Sequence, residues 1–568
     1  MLMENVPKIE RFLPEKPGLR YIEKTLSLLK DNVGPDGEKI DWKDLNKKVE
    51  HWDSGLELSS QIRDIVREYI LSNFPKIKEE IPSIADLPDA KMLNALSNGW
   101  FEELGEEIGG TRREVLLAVL AHITKKIETG IYKKVLKSAG EKDFQKLGIP
   151  ENMRELLLDT IEASAKSDPL FIRFLAYSYL SPTPPKDDNP VAPRGMDGRP
   201  HTFSDLFPHE TGYISKKLAT ITKNNEPWKN ESGADEFSEY LKNLSDFFNE
   251  KNPDKAKDLH EKLTNAYEKL CTTDFPIIIV PPLEGFYNPP YLDPELKVAI
   301  RTPESRSKDE KFRPFQAALA EKIDLLGVSQ FSNAMNNKLI RNYIAIGDFG
   351  AALTFNAIAQ EDPIIAIYLN TQIRADKDSK DLFRYINNAE QSFTINTDDE
   401  IIEMFRNDTV LHELSHSVYN FKTPEAKRLG PDQESVIAEV SADSIHRGVA
   451  KEMILNKTIS LTEEKYIDLA VASQLSVIEN SDPGDEYYKA SVFVLNGMFE
   501  KGIAKFDGSK INIRNNDAVF EYFKKNAREI ISLYEDASMN PEKAKKWLVA
   551  NCTAGKKLQT LIDFIKRK

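Results

Sequence analysis

The clearest pattern of apolar and polar positions lies in the last third of the chain. Ile401, Ile402, Phe405, Leu411 and Val418 are spaced to line a buried helix face. Thr397-Asp398-Asp399-Glu400 precedes this run and offers N-cap oxygens and first-turn acids. A second helix is expected from about Pro431 to Leu455, since proline suits a first turn and cannot continue a preceding helix. Further helical patterns cover Glu463–Asn480, Tyr487–Lys501 and Ala518–Tyr534.

Upstream, residues 234–271 also read as helical, and then the texture changes. Phe275–Val280 is rich in β-branched residues and ends at Pro281-Pro282, which predicts a strand. Leu296–Thr302, Asn342–Ile346, Ala351–Ala357 and Pro363–Leu369 are expected as further strands. Glu155–Ala165 and Asp168–Leu180 read as two helices parted by a capped turn at Ser167-Asp168-Pro169. Ser181–Pro200 is dense in Pro and Gly and predicts an irregular crossing segment. Residues 1–150 are polar and helical, with patterns at Leu19–Leu29, Ile62–Asn73 and Thr111–Ile131, and carry no chemistry of their own. The expected organisation is a helical N-terminal region (1–150), a helical segment with the crossing loop (151–274), a β-containing segment (275–400) and a helical region (401–568). The fold class is α+β, mostly helical.

At 568 residues the chain is long for one core, so two or more lobes are expected. A net charge of −14 without a Lys/Arg-rich block argues against nucleic acid as the main partner. Cys271 and Cys552 are the only cysteines, so no disulfide framework is expected. No run of about 18 apolar residues predicts a membrane span. Met1–Asn32 lacks the apolar core of a signal peptide, which makes the cytoplasm the expected location.

The chemistry concentrates in Val410-Leu-His412-Glu413-Leu-Ser-His416-Ser. His412 and His416 are four apart, one helical turn, where two imidazoles can grip one tetrahedral zinc. Glu413 is placed to take a proton from water at that zinc. With 8 histidines in the chain, this pattern arises by chance about 0.01 times, so it is read as a site. A catalytic zinc needs a third protein ligand. On the second helix Glu439, Ala442, Asp443 and His446 share one face. Glu439 is assigned as that ligand, small Ala442 lets the helices approach, and Asp443 is expected to accept a hydrogen bond from a ligand histidine. His446 is read as a core histidine. The metzincin pattern is excluded, because its Gly and third His positions are Tyr419 and Lys422 here.

These motifs resemble the dipeptidyl peptidase III family, and within it the HExxH-containing bacterial and plant relatives associated with Nudix hydrolases. LHELSHSV looks like that subgroup's zinc helix. Ala438-Glu-Val-Ser-Ala-Asp443 looks like the family's acidic second motif, with Ala438 in place of its first Glu. Ile279-Val-Pro-Pro-Leu-Glu284-Gly-Phe-Tyr287 resembles the segment that lines the cleft, and Thr354-Phe-Asn356-Ala the strand that binds substrate backbone. Ala490–Gly502 looks like the family's C-terminal helical segment, and the likeness spans about residues 150–568.

The resemblance implies two lobes around a wide cleft, with zinc on a helical lobe and a small β-structure in the other. It implies one zinc per chain, short peptides as substrates, removal of N-terminal dipeptides, and Glu284, Tyr287 and Asn356 as substrate-binding residues. Two departures stand out. Phe286 fills the family's Tyr position, with Tyr287 one residue late, and no histidine follows His446. Tyr287, Tyr291 and Arg447 are the candidates to steady charge on the carbonyl oxygen. A non-catalytic zinc-containing peptide-binding protein and a zinc hydrolase of a non-peptide amide remain the alternatives.

Overall fold

The computed structural model describes residues 136–566 apart from 138, 181–188, 195–197, 283–291, 293, 346–356, 360–363, 370–375, 377–378, 421–422, 482 and 514. The expected helices at Leu19–Leu29, Ile62–Asn73 and Thr111–Ile131 lie outside the described residues, as do most of the crossing segment and all but Ala357 of the strand expected at Ala351–Ala357. The chain is mostly helical with small sheets, and it divides into two compact units. One comprises Met1–Pro303 with Tyr343–Thr354, the other Glu304–Asn342 with Phe355–Lys568.

Among the described residues the longest helices of the first unit are α1 (Arg154–Leu180), α2 (Pro208–Lys223), α3 (Ala234–Asn249) and α4 (Pro253–Cys271). On α3, Phe237, Tyr240, Leu241, Leu244, Phe247 and Phe248 fall on one face and are all buried. Phe237 stacks on Phe275 with ring centroids 4.4 Å apart, and Tyr240 Oη donates to Ile279 O at 2.6 Å. These contacts fasten α3 to strand β1 (Ile277–Val280), which pairs antiparallel with β2 (Lys297–Ile300). β2 in turn pairs antiparallel with β3 (Leu339–Ala345), Ala299 opposite Ala345.

The turn expected at Ser167-Asp168-Pro169 is not there; α1 runs unbroken through it. The Ser167 hydroxyl, expected as a cap, has other partners. It donates to Ser164 O at 2.8 Å and accepts Leu296 N–H at 2.8 Å, while Ser164 Oγ donates to Leu296 O at 2.6 Å. Both serines are fully buried, so tertiary hydrogen bonds override the local stop signal.

The second unit holds α5 (Pro303–Lys322, from Glu304), the β4–β5 hairpin (Ala357–Ala359, Ile364–Tyr368) and the helices that matter most here. These are α6 (Asp398–Ser415), α7 (Pro431–Leu455), α8 (Glu463–Asn480), α9 (Glu486–Glu500) and α10 (Asn516–Glu535), with a short β6–β7 pair (Ala504–Phe506, Ile511–Ile513) between the last two. α6 begins in a full capping box. Thr397 Oγ1 accepts Glu400 N–H at 3.2 Å, and Thr397 N–H donates to Glu400 Oε2 at 2.8 Å. Ile401, Ile402, Phe405, Leu411 and Val418 are all buried. α7 starts with Pro431 at its first position, after Gly430 at φ 86°. It is the central helix of the unit and packs against α6, α9 and α10. Gly448 permits the approach of α10, because a Cβ there would lie 2.6 Å from Ala527 Cβ on that helix.

Candidate metal centre

Helices α6 and α7 carry the donors. His412 lies in the last turn of α6, and His416 is its C-cap with helical dihedrals, φ −60° and ψ −14°. The spacing of one turn is therefore kept although the helix stops there. The chain turns away at Tyr419, whose φ of 52° is left-handed. Its ring stacks on Tyr534 with centroids 4.5 Å apart, and its hydroxyl donates to Glu535 at 3.1 Å. Burial of the ring offsets the strain of that backbone position.

His412 Nε2 stands 3.2 Å from His416 Nε2 and 3.2 Å from Glu439 Oε2; His416 Nε2 is 3.7 Å from Glu439 Oε1. One donor atom from each of the three side chains lies within 4.8 Å of the others, and no other such group of His, Cys, Asp or Glu occurs among the described residues. Two nitrogens on one tetrahedral zinc stand about 3.3 Å apart, so the spacing fits that ion. The donor types, two imidazoles and a carboxylate, fit it as well. The three side chains are partly exposed, His412 and His416 at 17 % and Glu439 at 12 %. Glu413 follows His412 at the same end of α6 and is also partly exposed.

Asp443 lies behind the donors. Its Oδ1 is 3.1 Å from His412 Nδ1, so in the neutral ring Nδ1 keeps the proton and Nε2 offers its lone pair. Burial opposes protonation of His412, but Asp443 and Glu439 outweigh it and hold the imidazole well above its usual pKa. Asp443 accepts from three residues, His412, Arg447 and Gln474. Arg447 Nη1 donates to Asp443 Oδ1, and Arg447 Nη2 donates to Asp408 Oδ2 at 3.1 Å. With its amide oxygen turned to Arg447, Gln474 accepts from Arg447 Nη2 at 2.8 Å and donates to Asp443 Oδ2 at 3.1 Å and Ser491 Oγ at 3.0 Å. Burial works against the Asp443 charge, and Arg447 together with His412 overcomes it, keeping the carboxyl far below the usual range.

His446 is fully buried. Its Nδ1 is 2.8 Å from Ala442 O and its Nε2 3.2 Å from Asp408 Oδ1. Burial and the Arg447 charge lower its pKa, and a neutral ring donates to only one of the two.

Arg447 does not fill the substrate-side role considered for it. It is 2 % exposed and held by two carboxylates, which leaves no guanidinium face for a carbonyl oxygen. Glu284, Tyr287, Tyr291 and Asn356 lie outside the described residues. Sequence reasoning missed Asp408 and Gln474. Asp408 was open to discovery, since it sits one turn before His412 on the same helix.

Fold and site together define a mostly helical α+β protein with a His-His-Glu donor cluster on two packed helices. No family model and no curated protein sequence matches the chain. Its fold is that of dipeptidyl peptidase III. The solved structure of that protein from Caldithrix abyssi aligns with a TM-score of 0.51 at 14% identity, over 83% of this chain and 94% of its own. That of dipeptidyl-peptidase III from Corallococcus sp. strain EGB aligns with a TM-score of 0.50 at 14% identity, over 78% and 90%. No described helix is long and apolar enough to cross a membrane.

Proposed function

We propose that the chain is a zinc-dependent peptidase of the dipeptidyl peptidase III type, from the HExxH-containing subgroup, that cleaves dipeptides from the N-termini of short peptides. The observation that carries this is the triangle of His412 Nε2, His416 Nε2 and Glu439 Oε2, with Asp443 fixing the far side of His412. Two solved structures of the same fold bear the name dipeptidyl peptidase III, which supports the choice of substrate.

In this proposal His412, His416 and Glu439 hold the ion. When bound, zinc supplies Lewis-acid activation of water at neutral pH. Glu413 accepts a proton from the attacking water as its oxygen adds to the scissile carbonyl carbon. The C–N bond then breaks, and Glu413 returns the proton to the leaving amine. Substrate contacts through Glu284, Tyr287 and Asn356 belong to the same proposal. Cys271 and Cys552 are both buried and form no disulfide, and a cytoplasmic setting belongs to the same proposal.

The absence of any histidine after His446 favours a second reading, a zinc-containing protein that binds peptides without cleaving them. Elemental analysis alongside hydrolysis of a dipeptidyl-arylamide panel separates the two, with wild type and Glu413→Gln in parallel. About one zinc per chain, with hydrolysis lost in the variant, supports the peptidase. One zinc and no hydrolysis in either protein favours the binding protein, and no zinc in either overturns both.

A further inference from the structure

The group of charges beneath the donors is larger than a zinc site needs. Asp408 and Asp443, one from each helix, share the Arg447 guanidinium. Arg447 is 2 % exposed, Asp408 5 %, Asp443 7 % and Gln474 2 %. Buried ion pairs of this kind seldom stabilise a fold more than apolar side chains of equal volume. Their placement is informative: Asp408 is one turn before His412 on α6, and Arg447 is one turn after Asp443 on α7.

We propose that Arg447, Asp408 and Gln474 form a buried frame that positions Asp443, and through it His412, for metal binding. The proposal rests on the metal-centre reading above. Both oxygens of Asp443 are engaged, Oδ1 by His412 Nδ1 and Arg447, and Oδ2 by the Gln474 amide. A carboxylate fixed at both oxygens has one orientation, and it fixes the plane of the imidazole it accepts from. The second Arg447 nitrogen reaches Asp408 and so ties α6 to α7 at the level of the donors. That tie sets the separation of His412 from Glu439, which sit on different helices. Arg447 is thus a positioning residue with no contact to substrate.

Charge alone and geometry predict opposite outcomes. A cation removed from beside a dication site tightens dication binding through Coulomb's law. A frame removed from behind a ligand histidine weakens it by about 10- to 100-fold.

The test uses the full chain as wild type, Arg447→Gln, Arg447→Lys and Gln474→Leu. Zinc affinity is measured by competition with a chromophoric chelator, and the visible d–d bands of the cobalt(II)-loaded proteins report ligand geometry. The expected result is a loss of about 10- to 100-fold in zinc affinity for Arg447→Gln, with altered cobalt bands and a smaller loss for Arg447→Lys. Equal or tighter zinc binding by Arg447→Gln with unaltered bands overturns the frame and leaves the metal centre standing. Failure of the wild type to bind zinc overturns the metal centre itself. If circular dichroism shows Arg447→Gln unfolded, Gln474→Leu decides, since it removes the amide that joins Asp443 Oδ2, Arg447 Nη2 and Ser491 Oγ and leaves the Arg447 ion pairs in place. Weakened zinc affinity in Gln474→Leu supports the frame, and wild-type affinity overturns it.

Discussion

His412 Nδ1 lies 3.1 Å from Asp443 Oδ1, and the two residues belong to different helices. His412 is thereby oriented by the helix that also supplies Glu439. Asp443→Asn keeps the shape of the side chain and removes its charge. Zinc affinity is expected to fall by about tenfold or more. Competition against a chelator measures it, and an unchanged dissociation constant would refute this role.

Glu413 and Glu439 are expected to separate by readout. Glu413→Gln lowers turnover of a dipeptidyl-arylamide by about 10²- to 10⁴-fold while the zinc-to-protein ratio stays at that of the wild type. Glu439→Ala lowers the ratio itself, because a ligand is gone. If both variants lose metal equally, Glu413 is not acting as a base alone.

Asp468 on α8 gives a pH dependence unrelated to metal. Burial, and then the neighbouring Glu464, push its carboxyl up from 3.8 to about 7. Between those values the folded chain keeps a proton that the unfolded chain releases. The stabilisation is therefore complete below about pH 3.8 and is lost as pH rises towards about 7, at a cost of about 2–4 kcal/mol. Asp468→Asn removes the penalty, so its urea midpoint should exceed that of the wild type at pH 8 and differ little at pH 4. The same difference at both pH values would contradict the shift.

Gly448 follows Arg447 on α7 and faces Ala527 on α10 with no room for a methyl group. Gly448→Ala is expected to destabilise the protein by about 1–3 kcal/mol through overpacking, despite alanine's better helix propensity. Urea denaturation would show it, and a stabilised variant would mean that α10 yields freely at this point.

The parts of this molecule that were legible in the sequence depend on local chemistry. Thr397 and Glu400 announce the start of α6, Pro431 that of α7, and the spacing of His412, His416, Glu439 and Asp443 depends only on helical periodicity. The illegible parts depend on partners distant in the chain. Gln474 is an unremarkable polar residue until α8 brings it to Asp443. Arg447 read as a group free to meet substrate because nothing nearby in sequence says that it lies between Asp408 and Asp443. Ser167 carried a correct capping signal for a helix that does not begin there, because Leu296 supplies its hydrogen-bond partner.

The donors and Asp443 come from one continuous span, 412 to 443, but what holds them steady comes later: Gln474, Ser491 and the packing face of α10 up to Glu535. Synthesis proceeds from the N-terminus, and a compact unit folds as a whole. The nascent chain therefore exposes its imidazoles and carboxylates well before it can hold an ion between them. Under the zinc proposal, loading with metal would be a late step of biogenesis, set by completion of the C-terminal helices and not by emergence of the donors. A chain cut before residue 474 would contain every donor but lack Gln474 to steady Asp443.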